Sequence, residues 1–381
     1  MKEEHNNAAA RGLRFAPTVH LATVVQEISM NQETIQRGFY ISLCNKDEID
    51  RIFNVQSTAD YLLKQRADAT LHCTRIHRVF LRRCYLAGDK WNFTESFDDT
   101  PFKDYIDHLE FSDYDEAQKI IAGFVFCDDP NGRIRKTEFG NVIMISESLR
   151  YFLYFMNLAY LQYDECNIPA DVRNAAIKIA MRTMLQTEAL DFDLDPRGAM
   201  PDKLAKAIQW HTNRQLQFII GHEYSHGFLG HLENANIIEA PMLSYFKECD
   251  WNLTKIYSPS QMDEFDADMD AIARPIFTPD SRADYLKKAM LFFAYLDVFE
   301  SVKEQIAPSS GRVKSHPDPI DRFWNLFKEF KGKVEIADEF VEIILKLNES
   351  HKEGLKEDVA VNIDSYENYG SIYLESWKVM P

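Results

Sequence analysis

The sequence predicts an α+β fold that is predominantly α-helical, a helical N-terminal region followed by a domain with a small edge sheet. Three observations predict it. Apolar residues recur at three- and four-residue spacing through most of the chain. Only two short stretches, residues 124–127 and 141–146, read as β-type runs, and they flank Asp129-Pro130-Asn131-Gly132, a hairpin signal. One strongly apolar helix, residues 216–232, carries the pattern H-E-x-x-H.

Taken in order, residues 1–12 are polar, and residues 47–53 and 59–86 carry the clearest helical patterns of the N-terminal region. His72, Cys73 and His77 lie in the second of these, where a basic, solvated helix face explains them as well as metal binding does. Residues 88–101 are rich in turn formers and mark a junction. The run NVIMIS is the best strand in the chain, and helices follow at 147–163, 170–188 (entered by Pro169) and 203–232 or its later half. Between them DFDLDP alternates Asp191, Asp193 and Asp195. Pro196 stands where a calcium loop needs glycine, so an acidic surface loop is the expectation. A turn-prone connection spans 233–260. Helices are then predicted at 261–273, 282–306, 320–330 and 336–347, ahead of a polar tail with aromatic punctuation. These elements suggest an N-terminal region over 1–130, a central domain over 131–335, and a C-terminal helix and tail over 336–381.

Bulk properties bound the function. A hydrophobic fraction of 45% with 27% charged residues describes an ordinary globular chain. The formal charge of −17 opposes general binding to nucleic acid or anionic membranes. The six cysteines are scattered without a C-x-x-C pair, which suits free thiols in a reducing compartment. No signal-type apolar segment opens the chain and no run is long enough for a membrane span. A cytoplasmic, soluble protein is expected; its oligomeric state is not legible.

His222 and His226 are four apart, so on a helix both imidazoles face one point. Glu223 is about 100° further round, within reach of a water there without being a ligand. Two neutral histidines, an open coordination position and a carboxylate to accept a proton are the parts of a zinc hydrolase. Phe218, Ile219, Ile220, Phe228 and Leu229 would bury that helix. The plainer reading is a buried helix whose histidines only hydrogen-bond to neighbours.

A catalytic zinc takes three protein ligands. A histidine ten residues after the first, with glycine at position seven, is excluded because Leu232 and Leu229 occupy those places. His231 is one residue out of register and would face elsewhere on a continuing helix. The other source is a glutamate on a separate helix, and MDEFDADMDAIA supplies Glu264. Asp268, one turn on, can orient a liganding histidine from behind. Asp263, Asp266 and Asp270 are expected on the solvated face, while Ala267, Met269 and Ala271 favour close helix packing. The stretch SHPDPIDRF adds His316 and Arg322 as donors for an oxyanion.

In this order the three stretches resemble the gluzincin metallopeptidases that include the CAAX prenyl proteases, the HtpX-type heat-shock proteases and the Oma-type mitochondrial proteases. The stretch HEYSHGFLGH resembles their zinc helix, DEFDAD their E-x-x-A-D segment, and SHPDPIDRF their H-P-x-x-x-x-R element. The resemblance covers about residues 140–330. It implies a zincin catalytic domain with one zinc on His222, His226 and Glu264, and Asp268 behind. Glu223 is the implied general base, His316 a transition-state or zinc-gating residue, and Arg322 a structural or oxyanion-supporting cation. GNVIMISESL is similar to the family's edge strand, which implies that Asn141, Val142, Ile143 and Met144 pair with an extended peptide substrate. Departures are the absent membrane span, the helical insertion over 147–209 and the unmatched first 130 residues, so the family's substrates do not transfer. A regulatory protease with one protein target, as in the distantly similar Lit-type phage-exclusion peptidases, fits a soluble member. The expected activity is therefore a zinc endopeptidase acting on a protein or peptide. The alternative is a non-catalytic sensor or interaction protein with a structural or vestigial metal site.

Overall fold

The computed structural model describes residues 33–127, 129–163, 166–194, 200–232, 237–240, 254–257, 260–308 and 316–374. A helix over residues 33–40 (α1) precedes α2 (Lys46–Phe53), α3 (Thr58–His72), α4 (Thr74–Ala87), α5 (Thr100–Ile106) and α6 (Phe111–Ala117). Next come β1 (Ile121–Val125), β2 (Gly132–Thr137) and β3 (Gly140–Ser146), then α7 (Glu147–Tyr160), α8 (Ala170–Met184) and α9 (Asp202–Phe228). Two short strands, β4 (Ile237–Ala240) and β5 (Thr254–Tyr257), lead to α10 (Gln261–Ala273), α11 (Pro279–Ile306), α12 (Pro319–Phe330), α13 (Asp338–Asn362) and α14 (Asp364–Glu367). The chain is mostly helical with a small mixed sheet, as predicted.

Local chemistry sets several of these bounds. Asn45 and Glu48 form a capping box on α2, and Ser260 and Asp263 form one on α10. The stretch expected as one helix over 59–86 is two, because Cys73 takes extended backbone and caps both. Cysteine and the following threonine are weak helix formers, so little opposes the break. The helix expected over 336–347 is α13 and runs to Asn362, since Leu355 and Val359 continue the buried stripe of Val341 and Ile344.

The sheet departs from the expected hairpin. Its order is β1-β3-β2, with β1 parallel and β2 antiparallel to β3, and the tight turn lies between Thr137 and Gly140. Gly132 opens β2 instead of closing a turn. Val142 and Met144 pack with Tyr61 and Leu62 of α3, while Ile143 and Ile145 join the main core beneath α9. Both faces of β3 are thus covered, which is why NVIMIS is apolar without alternation.

β1 lies before residue 130 and pairs with β3 beyond it. A continuous hydrophobic core runs from Tyr40 to Leu374 and includes α13 on α11. Among the described residues, no helix is long and apolar enough to cross a membrane, and the five described cysteines are free.

Candidate metal centre

The second half of α9 is enclosed: every residue from Gln215 to His226 is buried. This burial demands small side chains where other elements cross. A Cβ on Gly221 would lie 2.7 Å from Cε2 of Tyr105 on α5, so glycine there lets α5 lean on the helix next to His222. Tyr105 also stacks on Tyr224 with ring centroids 5.6 Å apart. On α10, Glu264, Ala267, Asp268 and Ala271 are buried at one-turn spacing, and the two alanines allow α10 to pack closely on α9. Phe218, Ile219 and Ile220 are buried as expected. Leu229 is exposed, because α9 ends at Phe228 and the chain turns away.

Helix spacing and this packing bring three groups to one point. His222 Nε2 and His226 Nε2 are 3.1 Å apart. Glu264 places Oε2 3.6 Å from His222 Nε2 and Oε1 3.6 Å from His226 Nε2. Ligands at about 2.0–2.1 Å around a tetrahedral ion stand about 3.3 Å from one another. The observed spacings bracket that value. Glu264 Oε2 also lies 3.0 Å from His316 Nδ1 and 3.2 Å from Arg322 Nη1. These ion-pair contacts miss hydrogen-bond alignment, and the oxygen is buried without a hydrogen bond. Two facing imidazole nitrogens and a buried, ionised carboxylate fit a bound cation. Among the described residues, His222, His226 and Glu264 are the group of histidine, cysteine and acidic side chains able to hold a metal ion.

The outer nitrogens are fixed as well. His222 Nδ1 donates to Asp268 Oδ1 at 2.9 Å. Arg322 grips Asp268 with two bonds, Nε to Oδ2 at 2.7 Å and Nη2 to Oδ1 at 2.5 Å. Its guanidinium also lies over the Phe293 ring at 4.5 Å. With a side chain only 10% exposed and its donors turned to Asp268 and Glu264, Arg322 positions carboxylates. His316, half exposed, stands at the rim.

Electrostatics follow burial. Desolvation first, and then the proximity of His222, pushes His226 down to about 2, so the ring is neutral. Burial opposes charge on His222, but Asp268 and Glu264 outweigh it and hold its pKa above the ordinary value. Burial would raise Glu264, yet His316, His222 and Arg322 hold it ionised, below the usual carboxylate range. Glu223 goes the other way. Desolvation first, with Glu264 adding to it, raises its pKa, against the opposing pull of His222, the Ile134 N–H and His316.

β2, not β3, meets this centre. Ile134 on β2 lies close enough to Glu223 for its N–H to favour the ionised carboxylate. A Cβ on Gly132 would stand 3.2 Å from Glu223 Oε1 and 2.7 Å from Ile145 Cδ1, a close approach that glycine permits. The expected substrate edge at Asn141, Val142, Ile143 and Met144 is corrected: β3 is central, and Val142, Ile143 and Met144 are paired on both sides, leaving them no main chain for a peptide. Nothing in the local pattern told Gly132 of a hairpin turn from Gly132 of a strand.

Compared with known protein families, with characterised proteins and with solved structures, the chain matches none. The site is therefore read on its own geometry.

The other motifs resolve into structure. His72 is exposed and His77 Nε2 lies 3.1 Å from Ser42 Oγ. Asp191 and Asp193 pair with Arg75 and Arg83 of α4, each at 2.7 Å, while Asp195 lies outside the described residues. Asp270 pairs with Arg274 and Asp266 is exposed. Asp263 is partly exposed and, as the third residue of α10, completes the capping box with Ser260; its Oδ1 stands 4.0 Å from His231 Nε2.

Proposed function

We propose that the protein is a zinc-dependent endopeptidase of the gluzincin type, as the resemblance of its three motifs implies. The observation that carries this reading is the placement of Glu223. It is buried, adjacent in sequence to His222 on the same helix, packed beside Gly132 of β2, and outside the His222–His226–Glu264 donor set. A structural site has no use for such a carboxylate. His222 Nε2, His226 Nε2 and a Glu264 oxygen would hold the ion, and two nitrogens with one carboxylate are a donor set that zinc favours in hydrolases.

When bound, zinc supplies Lewis acidity that polarises a peptide carbonyl and acidifies water. Glu223 accepts a proton from the attacking water as its oxygen bonds to the carbonyl carbon. The raised pKa of Glu223 suits it to return that proton to the amine nitrogen as the C–N bond breaks. His316 at the rim donates to the oxyanion. Asp268 keeps the Nδ1 proton on His222, so that Nε2 faces the ion, and Arg322 holds Asp268 and Glu264 in register.

The test is Glu223→Gln against wild type on a mixed library of quenched peptides, with metal content measured on both. The expected result is equal metal and at least about a hundredfold loss of cleavage. A fully active variant would sink this mechanism.

A further inference from the structure

His222 has an evident partner in Asp268, and the geometry points to a partner for the second histidine: we propose that His231 is the positioning residue that fixes the tautomer and direction of His226. This inference rests on the zinc reading above and extends it to a residue that a helical projection sets aside.

The end of α9 delivers His231. Leu229 caps the helix and Gly230 follows at φ 70°, a conformation that glycine takes without strain. The His231 N–H then returns to the His226 carbonyl at 3.1 Å, and the Gly230 N–H to the Gly227 carbonyl at 3.2 Å. This pair of bonds is the Schellman motif. It reverses the chain within three residues and carries the His231 ring back over the helix it has just left. His231 Nδ1 comes to rest 2.9 Å from His226 Nδ1, with ring centroids 5.2 Å apart and planes at 61°.

Proton positions follow from the donor set. His226 turns Nε2 toward His222 Nε2 and Glu264, so that lone pair belongs to the ion. Its one hydrogen is then on Nδ1 and is donated to His231 Nδ1. His231 in turn carries its hydrogen on Nε2, which stands 4.0 Å from Asp263 Oδ1, beyond hydrogen-bond distance. Asp263 is itself anchored: its Oδ2 accepts from the Ser260 N–H at 2.9 Å, and its own N–H donates to Ser260 Oγ at 3.1 Å. One ligand is therefore backed by a carboxylate and an arginine, the other by a histidine. An acceptor behind a liganding imidazole fixes its direction and strengthens it as a donor.

The experiment measures zinc affinity by chelator competition for wild type, His231→Gln and His231→Leu, alongside thermal unfolding of each metal-free protein. Glutamine and leucine fill similar space, but only glutamine can accept from His226. The expected result is about 10–100-fold weaker zinc binding for leucine, recovery to within a few-fold for glutamine, and similar unfolding of the metal-free forms. Equal affinities for leucine and wild type, or equal losses in both variants, would overturn the role of His231 and leave the zinc reading intact. If the leucine variant does not fold, His231→Ala takes its place in the same comparison. Wild type that holds no zinc would overturn both proposals.

Discussion

Two acidic runs in this chain look alike and end in different chemistry. Residues 191–195 and 263–270 both alternate acids with apolar or small residues. The first meets the basic face of α4, where Arg75 and Arg83 take Asp191 and Asp193 at 2.7 Å, and the charges neutralise as a staple between elements. The second meets two imidazoles on α9 and one arginine from α12, and Glu264 keeps a buried oxygen without a hydrogen bond. The acids do not decide the outcome. Whether the opposite wall brings enough protons to satisfy them does.

That contrast is broken most severely at Arg322. Arg322→Ala removes the cation from two buried carboxylates, and losing one partner of a buried pair costs about 3–5 kcal/mol. The denaturation midpoint should fall steeply, and metal binding should fall with it as Asp268 and Glu264 lose register. An unchanged midpoint would mean that Arg322 does not hold the two carboxylates. Next comes the ligand itself. Glu264→Ala should take metal content from about one ion per chain to nearly none, while Asp191→Asn leaves it unchanged. Loss in both would make the first run a site as well.

A third test addresses the wall shared with the sheet. Gly132→Ala places a methyl group 2.7 Å from Ile145 Cδ1 and 3.2 Å from Glu223 Oε1. Overpacking of that kind costs about 1–3 kcal/mol. Cleavage should fall further than stability alone explains, because the Glu223 carboxylate is displaced; a variant with wild-type turnover would show that β2 does not hold Glu223.

What was legible in the sequence follows the range of the interactions. The bounds of α10 could be read because Ser260 and Asp263 cap one end and Pro275 stops the other, all within local reach. His222 and His226 could be read because four residues on a helix is a fixed geometry. The strand order could not: NVIMIS has the same local pattern whether it lies at an edge or in the centre, and only the non-local pairing of β1 decides. The direction of His231 could not be read, for a different reason. Projecting α9 onward as a continuous helix turns its ring away, and the left-handed Gly230 reverses that. Arg322 was found as a cation, but its target depended on which face of α10 packed against α9.

The smallest expected effect sharpens the comparison most cleanly. Asp191 is buried, but its partner Arg75 is 41% exposed, so water screens the pair and the arginine loses little when left alone. Asp191→Asn should cost about 1 kcal/mol or less in a urea titration. The loss should shrink as salt is raised, because a partly exposed pair is screened within about 10 Å at 0.1 M. Arg322→Ala should show almost no salt dependence, since its carboxylates are sealed from solvent. A large, salt-independent loss for Asp191→Asn would place the first run in the same buried class as the second, and the difference between the two would then lie in their ligands and not in their exposure to water.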